Sequence, residues 1–151
     1  MSVFGNCLCG SVSFFAKSEI NWSCYCHCDD CRRNCAAPVV AFLGVSLEGF
    51  SWNVDGENRE PKHFESSSGV RRFFCDNCGT PMAFQAEHYE GEIALYAATL
   101  AEPAEFQPQF HVHHQSSLSW LAIDDNLQKF KGSAPNDKIP HARPHSPGSK
   151  L

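Results

Sequence analysis

The stretch from Cys24 to Cys35 holds five cysteines in twelve positions, and four more lie outside it. A thiolate is both a nucleophile and a soft metal ligand, so cysteine at this density points to chemistry rather than packing. The outer four fall into two pairs of one design. Cys7-Leu8-Cys9-Gly10 and Cys75-Asp76-Asn77-Cys78-Gly79 each sit in a turn-like segment and end in glycine. A glycine there can take a positive φ and turn backbone amides toward the sulfurs. Four thiolates at about 2.3 Å complete the coordination of a zinc ion, which describes a closed structural site. One such metal would tie the N-terminal hairpin to the middle of the chain and restrain a long loop of the unfolded state. The competing reading is two unrelated turns with buried cysteines.

The inner group, Cys26-His27-Cys28-Asp29-Asp30-Cys31, has different chemistry. Three thiolates so close in sequence can reach one metal and leave a fourth position for water or substrate, which marks catalytic zinc. Cys24 and Cys35 keep alternatives open. Cys24 lies two residues before Cys26, on the same face of a strand, and Cys35 lies four after Cys31, on the same face of a helix. Either could close the site and make it structural. A reversible disulfide, and with it redox sensing, is a further alternative. Nine cysteines is an odd number, and the N-terminus MSVFGNCLCG has no basic start followed by a long apolar segment. A disulfide framework is therefore not expected, and a cytoplasmic location is.

Other titratable residues have two readings each. Arg32, Arg33, Arg71 and Arg72 could pair with substrate carboxylates, or be solvated surface charge or partners of Asp29 and Asp30. His27 stands between two cysteines, but its strand position should point it away from them. His111 and His113 should share one strand face, with His114 opposite. His111 could shuttle a proton near neutral pH or be a hydrogen-bonded structural histidine. Phe110 and Trp120 read as core, and Tyr96 could reach a pocket.

The elements that must position these residues are mostly short strands. Phe4 to Phe15 reads as a hairpin around the first cysteine turn. Ile20 to Cys26 reads as a strand and Asp29 to Asn34 as about one helical turn, with two acids preceding two arginines as the helix dipole favours. Pro38 ends it. Val39 to Val45 is rich in β-branched and aromatic residues and reads as a buried strand. Ser51 to Pro61 is polar, with Gly, Asn and Asp, and reads as a loop. Val70 to Phe74 enters the second cysteine turn and Pro81 to Gln85 leaves it. Ile93 to Leu100 and Phe110 to His114 are further strands. The pattern predicts a mainly β domain. After Lys131, Gly, Ser, Pro and Lys dominate, which predicts a flexible tail over residues 132–151.

The chain has 151 residues, 42% hydrophobic and 19% charged, which is globular and long enough for one domain with a core. Its net charge is -5 and it has no basic run, so no nucleic-acid partner is expected. The longest apolar stretch, Pro38 to Val45, is too short to span a bilayer, so no membrane partner is expected.

Three segments together, GNCLCGSVSF, CHCDDCRR and RRFFCDNCGTPMAF, resemble the glutathione-dependent formaldehyde-activating enzyme family, whose domain is shared with centromere protein V. A weaker match follows in QPQFHVHHQSSLSW. The resemblance covers about residues 3–131 and implies an Mss4-like, zinc-bearing β fold of short antiparallel strands and hairpins. It implies two zinc ions per chain, with Cys7, Cys9, Cys75 and Cys78 holding a structural one. Cys26, Cys28 and Cys31 match the ligands of a labile, catalytic one, while Cys24 and Cys35 fall outside the ligand pattern. His111 matches the family's histidine position.

The implied activity is that of a carbon–sulfur lyase on thiol–aldehyde adducts, of the S-hydroxymethylglutathione synthase kind. Its partners would be a small thiol such as glutathione and a small aldehyde. Three thiolates make a metal electron-rich, so capture of the thiol is expected to be weak and reversible. The alternatives from other classes are a non-catalytic zinc-stabilised binding module and a thiol redox or metal-buffering domain.

Overall fold

The computed structural model describes residues 2–103 and 106–135. The N-terminal hairpin is present, with β1 at Val3–Asn6 paired antiparallel to β2 at Val12–Ala16. Val12, Phe14 and Ala16 alternate inward along β2 while Phe15 is exposed, the period of two that a half-buried strand requires. β3 spans Ile20–Cys26 and leads into helix α1, Asp29–Cys35. The Cys28 sulfur caps α1 by accepting from the Cys31 N–H, and Ala36 closes its C-terminus in the left-handed region at φ 49°. β4, Val40–Ser46, follows Pro38.

β5 occupies Phe50–Val54 and pairs with β2, so the first part of the stretch expected as a loop is a strand. Its outward positions, Ser51 and Asn53, are polar and mask the alternation, while Trp52 and Val54 are buried. β6 at Lys62–Ser67 is an edge strand with almost every side chain exposed, and no apolar pattern announces it. β7 at Val70–Phe74 and β8 at Pro81–Ala86 flank the second cysteine turn. β9 stops at Tyr96, having begun at Glu92, and Ala97–Thr99 coils into a 3-10 turn instead of continuing to Leu100. β10 is Phe110–Val112 and β11 is Gln128–Lys129. The expected strand through His114 ends early because His113 takes φ 52°, so His113 does not share a strand face with His111. Trp120 lies in the irregular chain beyond and is 72% exposed, so it is not core, whereas Phe110 is.

The strands form two sheets, β1-β2-β5 and β11-β10-β3-β4-β9-β8-β7-β6. Pairing is antiparallel except at β10, which runs parallel to both β3 and β11. The fold is mainly β, as expected. Among the described residues, no helix is long and apolar enough to cross a membrane.

The large sheet is buried on both faces at its centre. Leu43 and Val45 of β4 and Ile93 and Leu95 of β9 join Val12, Phe14, Trp52 and Phe73 in one core. Val40, Phe42, Ala94 and Tyr96, the alternate residues of the same strands, join Cys24, Cys26, Cys31 and Phe110 in a second. The first core is closed by a near-contact of backbones. A Cβ on Gly5 would lie 2.3 Å from the Phe14 ring and 2.4 Å from the Thr99 carbonyl oxygen, so only glycine fits. Residues 136–151, most of the expected tail, lie outside the described residues. Before them, Ala134 packs against the second core and the Gly132 carbonyl accepts from the His113 N–H at 2.7 Å.

Candidate metal centres

The two cysteine turns of the first core come together. Cys7, Cys9, Cys75 and Cys78 place their sulfurs within 4.8 Å of one another. Tetrahedral coordination at about 2.3 Å per sulfur separates the sulfurs by about 3.8 Å. Cys7 Sγ and Cys9 Sγ are 3.6 Å apart, and Cys9 Sγ and Cys75 Sγ 3.8 Å, so these two pairs already have the separation a tetrahedral ion needs. Gly10 and Gly79 have φ of 83° and 76°, as the turn readings require. The turns also hold each other directly, since the Leu8 N–H donates to Thr80 Oγ1 at 3.1 Å.

Neutral donors surround these sulfurs. The Val12 N–H donates to Cys7 Sγ at 3.2 Å, Asn77 Nδ2 to Cys9 Sγ at 3.2 Å, and Thr80 Oγ1 lies 3.1 Å from Cys78 Sγ. The Thr80 hydroxyl and backbone bring the Cys78 thiol down to about 5. Hydrogen bonds from Ser11 and Asn77 lower Cys9, while burial pushes Cys75 up to about 12.

The inner group is built by a strand end and a helix start. β3 delivers Cys26, the cap position of α1 delivers Cys28, and its first turn delivers Cys31. Their sulfurs also lie within 4.8 Å of one another, and no fourth histidine, cysteine or carboxylate among the described residues joins the group. Cys24 is buried nearby with its thiol pushed up by burial, and Cys35 is half-buried with Asn34 Nδ2 3.7 Å from its sulfur. Neither belongs to the group. Hydrogen bonds from Cys26 and Cys31 make Cys28 the most acidic of the three, and the Cys26 thiol, donating to Cys28, is raised. None of the nine cysteines is joined in a disulfide.

The arginines divide. Arg32 pairs with Asp29 and donates to the carbonyls of His27 and Ser116, so it braces the inner segment. Arg71 meets Glu60 at 3.3 Å and Gln85 at 2.6 Å on the surface. Arg33 is exposed. Arg72 points the other way, with Nη1 3.6 Å from Cys31 Sγ. Tyr96 is buried, and its hydroxyl accepts from Asn34 Nδ2 at 2.9 Å.

His27 and His111 form a chain that sequence spacing could not show. His111 Nε2 is 2.9 Å from Asp125 Oδ2, and His111 Nδ1 is 2.8 Å from His27 Nε2. The carboxylate can only accept, so His111 carries a proton on Nε2, and with that ring neutral its Nδ1 accepts from His27 Nε2–H. His27 Nδ1 is then a bare lone pair, buried and without a partner. Burial foremost, then the neighbouring His111 and His114, holds His27 down to about 4, so the ring is neutral. His111 also brings Asp125 down to about 2. Asp125 lies in a stretch with no motif, which is why sequence reasoning missed it. The buried pair His27 and His111 is stacked at 5.1 Å between ring centres.

Fold and clusters together define a β domain with two cysteine clusters, one of four sulfurs and one of three. Residues 2–116 match the family described as glutathione-dependent formaldehyde-activating enzyme, and the chain belongs to that family. It is also similar to an uncharacterized lyase of Schizosaccharomyces pombe, 38% identical over 80 residues. That match spans 53% of this chain and 55% of the relative, so the chain covers about half of that protein's length. A crystal structure of a Rhodobacter sphaeroides protein shares the fold, with a TM-score of 0.52 at 20% identity over 66% of this chain and 88% of that one.

Proposed function

We propose that this chain is a zinc-dependent lyase of the carbon–sulfur type, acting on adducts of a small thiol such as glutathione with a small aldehyde such as formaldehyde. The observation that carries the reading is the count of sulfurs. The outer group has four, which saturate a zinc ion, and the inner group has three, which leave one position open. Family membership and the lyase-named relative support a lyase reaction.

Cys7, Cys9, Cys75 and Cys78 would hold the structural zinc, and Cys26, Cys28 and Cys31 the catalytic one. Cys26, Cys28 and Cys31 would leave a bound zinc ion one open position, and the chemistry it would supply there is stabilisation of a thiolate. The protein's own residues do the rest. The cap hydrogen bond from the Cys31 N–H fixes Cys28, and Arg32 ties the His27 carbonyl to α1. The Asp125–His111–His27 chain locks the segment between the first two sulfurs and presents the unprotonated His27 Nδ1 as a hydrogen-bond acceptor. The reaction is balanced without a redox partner: the sulfur–carbon bond forms, the carbonyl oxygen becomes a hydroxyl and takes the thiol proton, and the reverse reaction breaks the same bond. Reduced cysteines are required, which suits a reducing compartment such as the cytoplasm.

The test is exchange between glutathione and ¹³C-formaldehyde followed by magnetisation transfer. Wild type should accelerate exchange above the uncatalysed rate, and Cys28→Ser should return it to that rate. Equal exchange with and without the wild-type protein would remove the activity.

A further inference from the structure

Arg72 is the only arginine side chain placed against a cysteine cluster among the described residues. It leaves β7 on the face opposite Phe73 and is 5% exposed. Its Nε donates to Ser66 Oγ at 2.9 Å, and its guanidinium carbon sits 5.1 Å from the centre of the Phe84 ring. Arg32, Arg59 and Arg71 all meet carboxylates. No carboxylate among the described residues forms an ion pair with Arg72. A guanidinium stays protonated under all ordinary conditions, and a buried cation without an anion is strongly unfavourable. Two groups meet the guanidinium, the Cys31 sulfur and the hydroxyl of buried Tyr96; burial raises the Tyr96 hydroxyl and keeps it neutral, so the sulfur is the one that can carry the negative charge.

We propose that Arg72 is the charge partner of the inner cysteine centre: its buried guanidinium offsets the net negative charge of three thiolates around a divalent cation, retains that cation, and admits an anionic fourth ligand. This rests on the zinc reading above. Three thiolates and one divalent cation carry a single net negative charge, which Arg72 cancels. A fourth thiolate then brings the buried site to one net negative charge rather than two. The outer centre contrasts with this, because its Cys7, Cys9 and Cys78 sulfurs meet neutral groups, the Val12 N–H, the Asn77 amide and the Thr80 hydroxyl. Arg72 is thus a positioning residue. It acts through Cys31 and never changes its own protonation.

Arg72→Met removes the charge and keeps an apolar stem for Phe84. Arg72→Lys keeps the charge without the planar fork. Ser66→Ala removes only the oxygen that orients Nε. Each protein is purified anaerobically, its zinc counted, and zinc transfer to a colorimetric chelator timed. Arg72→Met should release one zinc about 10–100 times faster than wild type and keep the other as wild type does. Arg72→Lys should fall between them. Equal release from Arg72→Met and wild type, each starting with two zincs, overturns the role of Arg72 and leaves the zinc reading standing. One zinc in wild type overturns both. If Arg72→Met does not fold, Ser66→Ala decides: release of one zinc several-fold faster supports the proposal, and unchanged release overturns it.

Discussion

The two cysteine centres differ in how they are assembled. The outer one draws its sulfurs from two turns, at residues 7–9 and 75–78, and so joins distant parts of the chain within the core shared by both sheets. The inner one takes all three sulfurs from residues 26–31, on the other face of the large sheet. Closing a long loop restrains the unfolded chain, while clustering within six residues restrains it little. On the proposed reading, the outer centre would hold the fold, and the inner one would lose or exchange a ligand without unfolding it. Their surroundings differ in the same sense. Amides and a hydroxyl meet the outer sulfurs, whereas a buried guanidinium meets the inner group.

The largest effect should come from the outer centre. Cys75→Ser removes a buried ligand and should lower the melting temperature by about 10–20 °C, read by circular dichroism. A small change there would erase the contrast. Gly5→Ala adds a methyl that meets Phe14 and the Thr99 carbonyl, and should cost about 3 kcal/mol in urea denaturation with both zincs retained. His111→Phe leaves His27 Nε2–H without its acceptor and should cost about 2 kcal/mol. The smallest effect belongs to Trp120→Ala, which should stay within about 0.5 kcal/mol because the ring is exposed.

Local patterns were legible in the sequence, and partners brought in across the sheet were not. β3 and β7 have the limits that residue type alone predicted. The grouping of seven cysteines into a four and a three followed from spacing and resemblance, and the sulfurs do gather in that way. β5 was hidden because Ser51 and Asn53 occupy the solvent side of the strand. Arg72 read as one of four equivalent arginines. Its burial depends on β7 presenting it on the face that Cys31 also reaches, a relation between residues 41 apart. Asp125 meets His111 only because the irregular chain after β10 folds back over the histidine. The left-handed turn at His113, which ends β10, had no glycine or asparagine to announce it.

The central claim is that one centre is closed and structural and the other open and labile. The most direct test is zinc per chain in anaerobically purified wild type and Cys28→Ser. Serine is itself a good helix cap, so α1 should persist and the substitution should report on the metal. The account predicts two zincs in wild type, one in Cys28→Ser, and melting temperatures within about 4 °C of each other. One zinc in both proteins would contradict it.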